Sequence, residues 1–137
     1  MPEPGPTNDT NYEAHPERYP LDMDDEQALD VAPYASRIIP YWRYGSAAEA
    51  ATSAAQLYEL YTRYKESGDF VGMDVVRRLL RLGLTYARKL APDPALPPNA
   101  PLQPTPAAIF SKTFRMVDND PDFAAQRQAH AERRAKP

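Results

Sequence analysis

Apolar residues recur with a helical period over two neighbouring stretches, and each stretch carries its own start and stop signals. In the first, residues 46–66, Ala50, Ala54, Leu57, Leu60, Tyr61 and Tyr64 share one side, and Glu49, Thr52, Gln56, Glu59, Arg63 and Glu66 share the other. Ser46 supplies the N-cap and Glu49 the capping-box position. In the second, residues 69–90, Val71, Val75, Val76, Leu79, Leu80, Leu82, Tyr86, Ala87 and Leu90 cover an apolar arc of roughly 220°, against roughly 100° for a surface helix. A face that wide predicts cover on two sides. Ser67-Gly68-Asp69 separates the two helices, with Gly68 ending one and Asp69 capping the other. Two helices so closely joined must lie antiparallel, as a hairpin. Gly72 and Gly83 fall near the middle of the apolar arc and predict the close passage of another backbone.

The pattern weakens on either side of the hairpin. Pro33 and Pro40 bracket a segment of two helical turns, with Ile38 and Ile39 facing the core, followed by Trp42 as an aromatic anchor. Residues 21–31 read as a turn or short strand ending at Leu29 and Val31. Residues 91–104 are too rich in proline for helix or central strand and read as an extended connection. Thr105-Pro106 restarts a helix over 106–118, where Phe110, Phe114 and Val117 form one edge. Asp120-Pro121 repeats that signal, but Phe123 is the only large apolar residue behind it, so 119–137 reads as a weakly ordered charged helical tail. Residues 1–20 read as a disordered, acidic, Pro-rich head. The expected fold class is therefore mainly α. It is one small domain over 21–118, built on the hairpin (helices about 46–66 and 69–90) and a third, shorter helix.

Composition removes several function classes. The absence of cysteine excludes disulfides and thiolate metal sites. No stretch approaches the roughly 20 apolar residues of a membrane span, and the acidic start is no signal peptide. A cytoplasmic location follows by default. Glycine-rich phosphate loops, nucleophile elbows, HExxH and EF-hand spacings are missing. His15 and His130 lack acidic neighbours at ligand spacing, so neither a metal nor a cofactor is expected.

Charge is unevenly placed. Residues 1–30 carry a net −8, residues 31–100 a net +3 and residues 101–137 a net +2. The simpler reading of Asp22, Asp24, Asp25, Glu26 and Asp30 is a solvated, flexible arm. The sharper one lays that arm over Arg77, Arg78 and Arg81, where it would compete with an anionic partner. The simpler reading is favoured here.

The remaining chemistry is basic and aromatic. Arg77, Arg81 and Arg88 follow one strip of the second long helix, bordered by Arg78 and Lys89. Arg43 lies beside Trp42 and Tyr44. These residue types suit phosphate contact and base stacking, although a pI of about 5.4 gives the whole chain no basic footprint.

Val31-Ala32-Pro33-Tyr34, Ile39-Pro40-Tyr41-Trp42-Arg43-Tyr44, Asp69-Phe70-Val71-Gly72-Met73-Asp74 and Gly83-Leu84-Thr85-Tyr86-Ala87-Arg88 together resemble a bacterial and phage family known as domain of unknown function 4385. The resemblance spans about residues 26–90. It implies a single domain in a cytoplasmic protein and carries no activity, cofactor or catalytic residue.

The leading expectation is a non-enzymatic interaction or accessory protein with a protein partner or self-association through helix faces. The alternative is a nucleic-acid-associated protein using the Arg stripe. A small-molecule enzyme using Trp42, Arg43, Asp69 and Asp74 comes third. An exposed apolar patch would favour the first, a continuous basic strip clear of the acidic head the second, and a deep pocket holding Arg43 with Asp69 or Asp74 the third.

Overall fold

The computed structural model describes residues 10–90 and 104–135. Five α-helices carry the fold: α1 (Tyr34–Ile38), α2 (Ala47–Glu66), α3 (Phe70–Ala87), α4 (Pro106–Asp118) and α5 (Pro121–Ala135), with short 3-10 turns at Pro16–Arg18, Asp25–Asp30 and Ile39–Tyr41. Among the described residues there is no strand, and no helix is long and apolar enough to cross a membrane.

Every residue of α3 from Phe70 to Leu80 is buried, so this helix is the axis of the molecule rather than one side of it. It packs chiefly against α4 and α2, and the turn at Asp25–Asp30 and α5 close round it. The expected two-sided cover is there, and it extends over the polar strip as well.

The hairpin joint is locally determined. Gly68 adopts φ 70°, which lets its N–H reach the Lys65 carbonyl (3.1 Å) while the Asp69 N–H reaches that of Tyr64 (2.8 Å). This pair of bonds satisfies carbonyls that α2 would otherwise leave open. Asp69 then serves the next helix, accepting from the Gly72 N–H (3.1 Å) through Oδ1 and from the Tyr34 hydroxyl (2.6 Å) through Oδ2. Ser46 and Thr105 cap α2 and α4 from the amides three residues on.

The glycines on α3 admit aromatic side chains, not a backbone. A Cβ on Gly72 would stand 2.4 Å from the Tyr64 ring, and one on Gly83 2.9 Å from Trp42 Nε1. Trp42 closes over that bare stretch and donates Nε1–H to the Leu79 carbonyl (2.8 Å). Of the two isoleucines expected inside, Ile38 is buried but Ile39 is exposed, because the chain leaves α1 for a 3-10 turn at that residue. Of the turn or short strand read over 21–31, the structure has a turn, the 3-10 turn at Asp25–Asp30.

Both ends of the described chain depart from expectation. Residues 10–20, read as disordered, are docked, with Tyr12 and Tyr19 in the core and the Tyr12 N–H bonded to the Ala32 carbonyl (2.9 Å). The tail helix is held as well: Phe123 stacks on Phe70 at 5.6 Å, and His130 is buried between Phe70 and Tyr19. One phenyl ring, one imidazole and the Arg134 bond to the Glu17 carbonyl (2.8 Å) hold a helix most of whose other positions are exposed. Residues 1–9 and most of the 91–104 connection lie outside the described residues.

Candidate functional site

Asp74 is fully buried and projects from α3 toward the arginines one turn along. The spacings i, i+3 and i, i+4 put Arg77 and Arg78 on its own side of the helix. Asp74 Oδ1 accepts from Arg77 (3.0 Å), and Oδ2 accepts from Arg78 Nε (2.8 Å) and from the Tyr19 hydroxyl. Both carboxylate oxygens are engaged, as a buried anion requires. Burial pushes the Asp74 carboxyl up, but the two guanidiniums outweigh it and hold the group below the usual carboxylate range. Burial, and then the adjoining carboxylate, push the Tyr19 hydroxyl far above its ordinary value, so it stays a donor.

From this centre the network runs outward to the acidic arm. Arg78 donates to the carbonyls of Leu21 and Met23 (2.8 Å each), and Arg81 grips Asp25 with two bonds. Arg77 reaches Asp118 at the end of α4 (3.3 Å) and lies over the Phe123 ring at 5.1 Å, and Arg81 lies over Phe114 at 5.5 Å. The arm therefore lies on the arginines through its backbone and Asp25, and the reading of it as a solvated arm is corrected for these residues. Glu26, Asp22, Asp24 and Asp30 remain on the surface.

The arginine stripe is accordingly not one surface. Arg77 and Arg78 are buried, Arg81 is half-buried, and only Arg88 and Lys89 at the far end of α3 are exposed. Arg43 is exposed beyond Trp42, on the approach to α2. Trp42 and Tyr44 pack on each other (5.2 Å) and on Tyr86 (5.9 Å each), with Lys89 over Tyr86 at 5.7 Å. Both rings are thus used in packing, with partial exposure.

Nor do Trp42, Arg43, Asp69 and Asp74 converge, since Asp69 is tied to Tyr34 and the cap of α3, and Asp74 to the buried arginines. Among the described residues, two open depressions lie near these groups. One, of about 540 Å³, is lined by Leu21, Asp118, Phe123 and the Ala124–Arg127–Gln128–Ala131 side of α5. The other, of about 290 Å³, lies between Tyr41, Arg43 and α2. No cluster able to hold a metal ion occurs among the described residues.

His130, which lacks acidic neighbours at ligand spacing in the sequence, has a buried place in the core that no sequence signal marks. Its Nε2 lies 2.9 Å from the Tyr19 carbonyl, which can only accept, so this nitrogen carries the proton. Burial pushes the imidazole below its ordinary 6.5, and Arg134 and Arg133 add to that against the pull of the Tyr19 carbonyl and Asp74. The unfolded chain therefore binds a proton at His130 before the folded one does. That contribution to stability is complete above about pH 6.5 and is lost as pH falls below it. Urea denaturation between about pH 7 and about pH 5 should show the wild type losing more stability than His130→Gln; parallel profiles would refute the assignment.

Residues 3–95 match the family model described as Domain of unknown function (DUF4385). No curated protein and no solved structure matches the chain.

Proposed function

The chain belongs to the DUF4385 family, whose description carries no activity, and from that premise we propose that it is a non-enzymatic interaction protein that self-associates through an exposed flank of α2. One observation carries this reading: Ala48, Ala51, Ala55 and Tyr58 are all exposed at alternating steps of three and four, and Thr62 continues the line half-buried. The strip is free of charge along roughly 20 Å of helix. The core-facing side of α2, about a third of a turn away, is fixed by Ala50, Ala54, Leu57 and Tyr61, so the strip is held rigid. Alanine allows close approach of a second helix, and a two-fold contact centred on Ala55 would set Ala51 against Tyr58 of the other copy.

Sedimentation velocity on full-length protein from micromolar to submillimolar concentration tests this. The wild type is expected to show a concentration-dependent dimer, and Ala55→Arg to remain monomeric with an unchanged helical spectrum. A wild type that is monomeric throughout would overturn the reading. The alternative, nucleic-acid binding, retains Arg43, Arg88 and Lys89 as its exposed cations. Single-stranded DNA at low salt separates the two readings, because salt-sensitive binding lost in Arg88→Glu/Lys89→Glu would favour the alternative.

A further inference from the structure

Four carbonyls of the head, at every second residue, are taken by side chains of two helices. Arg134 Nη1 donates to Glu17 (2.8 Å), His130 Nε2 to Tyr19 (2.9 Å), and the two terminal nitrogens of Arg78 to Leu21 and Met23 (2.8 Å each). The segment from Pro20 to Met23 lies between two 3-10 turns and has no helical or sheet pairing of its own. The residues flanking its two ends add two specific side-chain contacts. The Tyr19 hydroxyl enters the fully buried Asp74–Arg77–Arg78 cluster, and the Asp25 carboxylate meets the Arg81 fork. Beside Leu21 the same cleft stays open along α5, as the depression of about 540 Å³ whose rim carries Arg127.

This is how a receptor groove holds a peptide: main-chain bonds give affinity irrespective of sequence, and pockets for selected side chains give specificity. We propose that the cleft between α3 and α5 is a binding groove for an acidic, tyrosine-bearing segment of a partner protein, with the chain's own residues 17–25 as the resident competitor. The segment that fits carries a tyrosine and, six residues later, a carboxylate, with no helix between them. A backbone-reading groove lined by arginines and one imidazole favours that chemistry over a nucleic acid, which offers no such ladder of carbonyls. The head holds the groove at the high local concentration of a tethered ligand, so a partner gains access when the Asp25–Arg81 contact is weakened. The inference shares with the proposed function only the idea of an interaction protein. It uses a different face, so failure at either face leaves the other standing.

The test is fluorescence anisotropy with a labelled synthetic peptide of residues 15–27, titrated with full-length wild type and with full-length Asp25→Asn. Asp25→Asn is expected to bind the peptide about tenfold or more tightly than wild type, because its own head competes less. A peptide carrying both Tyr19→Phe and Asp25→Asn should bind neither protein. Equal binding to the two proteins, or equal binding of the two peptides, overturns the proposal. If Asp25→Asn is unfolded by circular dichroism, hydrogen exchange on the wild type decides instead. Excess peptide should deprotect the protein's own amides at 19–25, and unchanged protection there overturns the proposal.

Discussion

Asp74→Ala is expected to destabilise the protein by about 3–5 kcal/mol, the cost of removing one partner from a buried ion pair. The substitution leaves Arg77 and Arg78 buried without their shared counter-ion and the Tyr19 hydroxyl without an acceptor. Arg77 would retain Asp118, which is largely solvated, and Arg78 would retain two carbonyls and the edge of Asp25. None of these replaces a carboxylate at van der Waals depth. Urea denaturation supplies the measurement, with Tyr19→Phe alongside. Tyr19→Phe should cost only about 1–2 kcal/mol, because it removes one hydrogen bond and leaves the charges paired. If both variants cost about the same, the cluster acts through Tyr19 packing and not through charge.

The hairpin and α4 were legible because their signals are local. Ser46, Gly68, Asp69 and Thr105 each act within four residues of themselves, and the structure places a cap or a turn bond at all four. The arginine stripe was misread for a physical reason. Helical spacing locates Asp74, Arg77 and Arg78 on one side, but not which neighbour covers that side. The cover comes from Tyr19, Leu21 and Met23, more than fifty residues away in sequence, and it is made largely by carbonyls that any residue possesses. Backbone acceptors leave no composition signal. The tail is similar: Phe123 and His130 are the buried residues that dock α5, and a lone histidine gives no spacing to recognise.

The glycines show a different limit. Their position on the buried centreline did mean a close approach, yet the visitors are side chains, Tyr64 at Gly72 and Trp42 at Gly83, and the sequence showed Trp42 only as a core anchor. This distinction gives the second large effect. Trp42→Ala is expected to cost about 3 kcal/mol, since it empties the space over α3 and breaks the bond to the Leu79 carbonyl. Gly83→Ala in the wild type should cost about 1–3 kcal/mol, because its methyl meets Trp42 Nε1 and strains the same bond. In the Trp42→Ala background the sign should reverse. The Phe110 ring, at 3.5 Å from the new methyl, is ordinary contact, and alanine is the better helix former by about 1 kcal/mol. A double-mutant cycle from denaturation midpoints measures the coupling. If Gly83→Ala costs the same in both backgrounds, the glycine is conserving something other than room for the indole, and the placement of Trp42 over α3 is wrong.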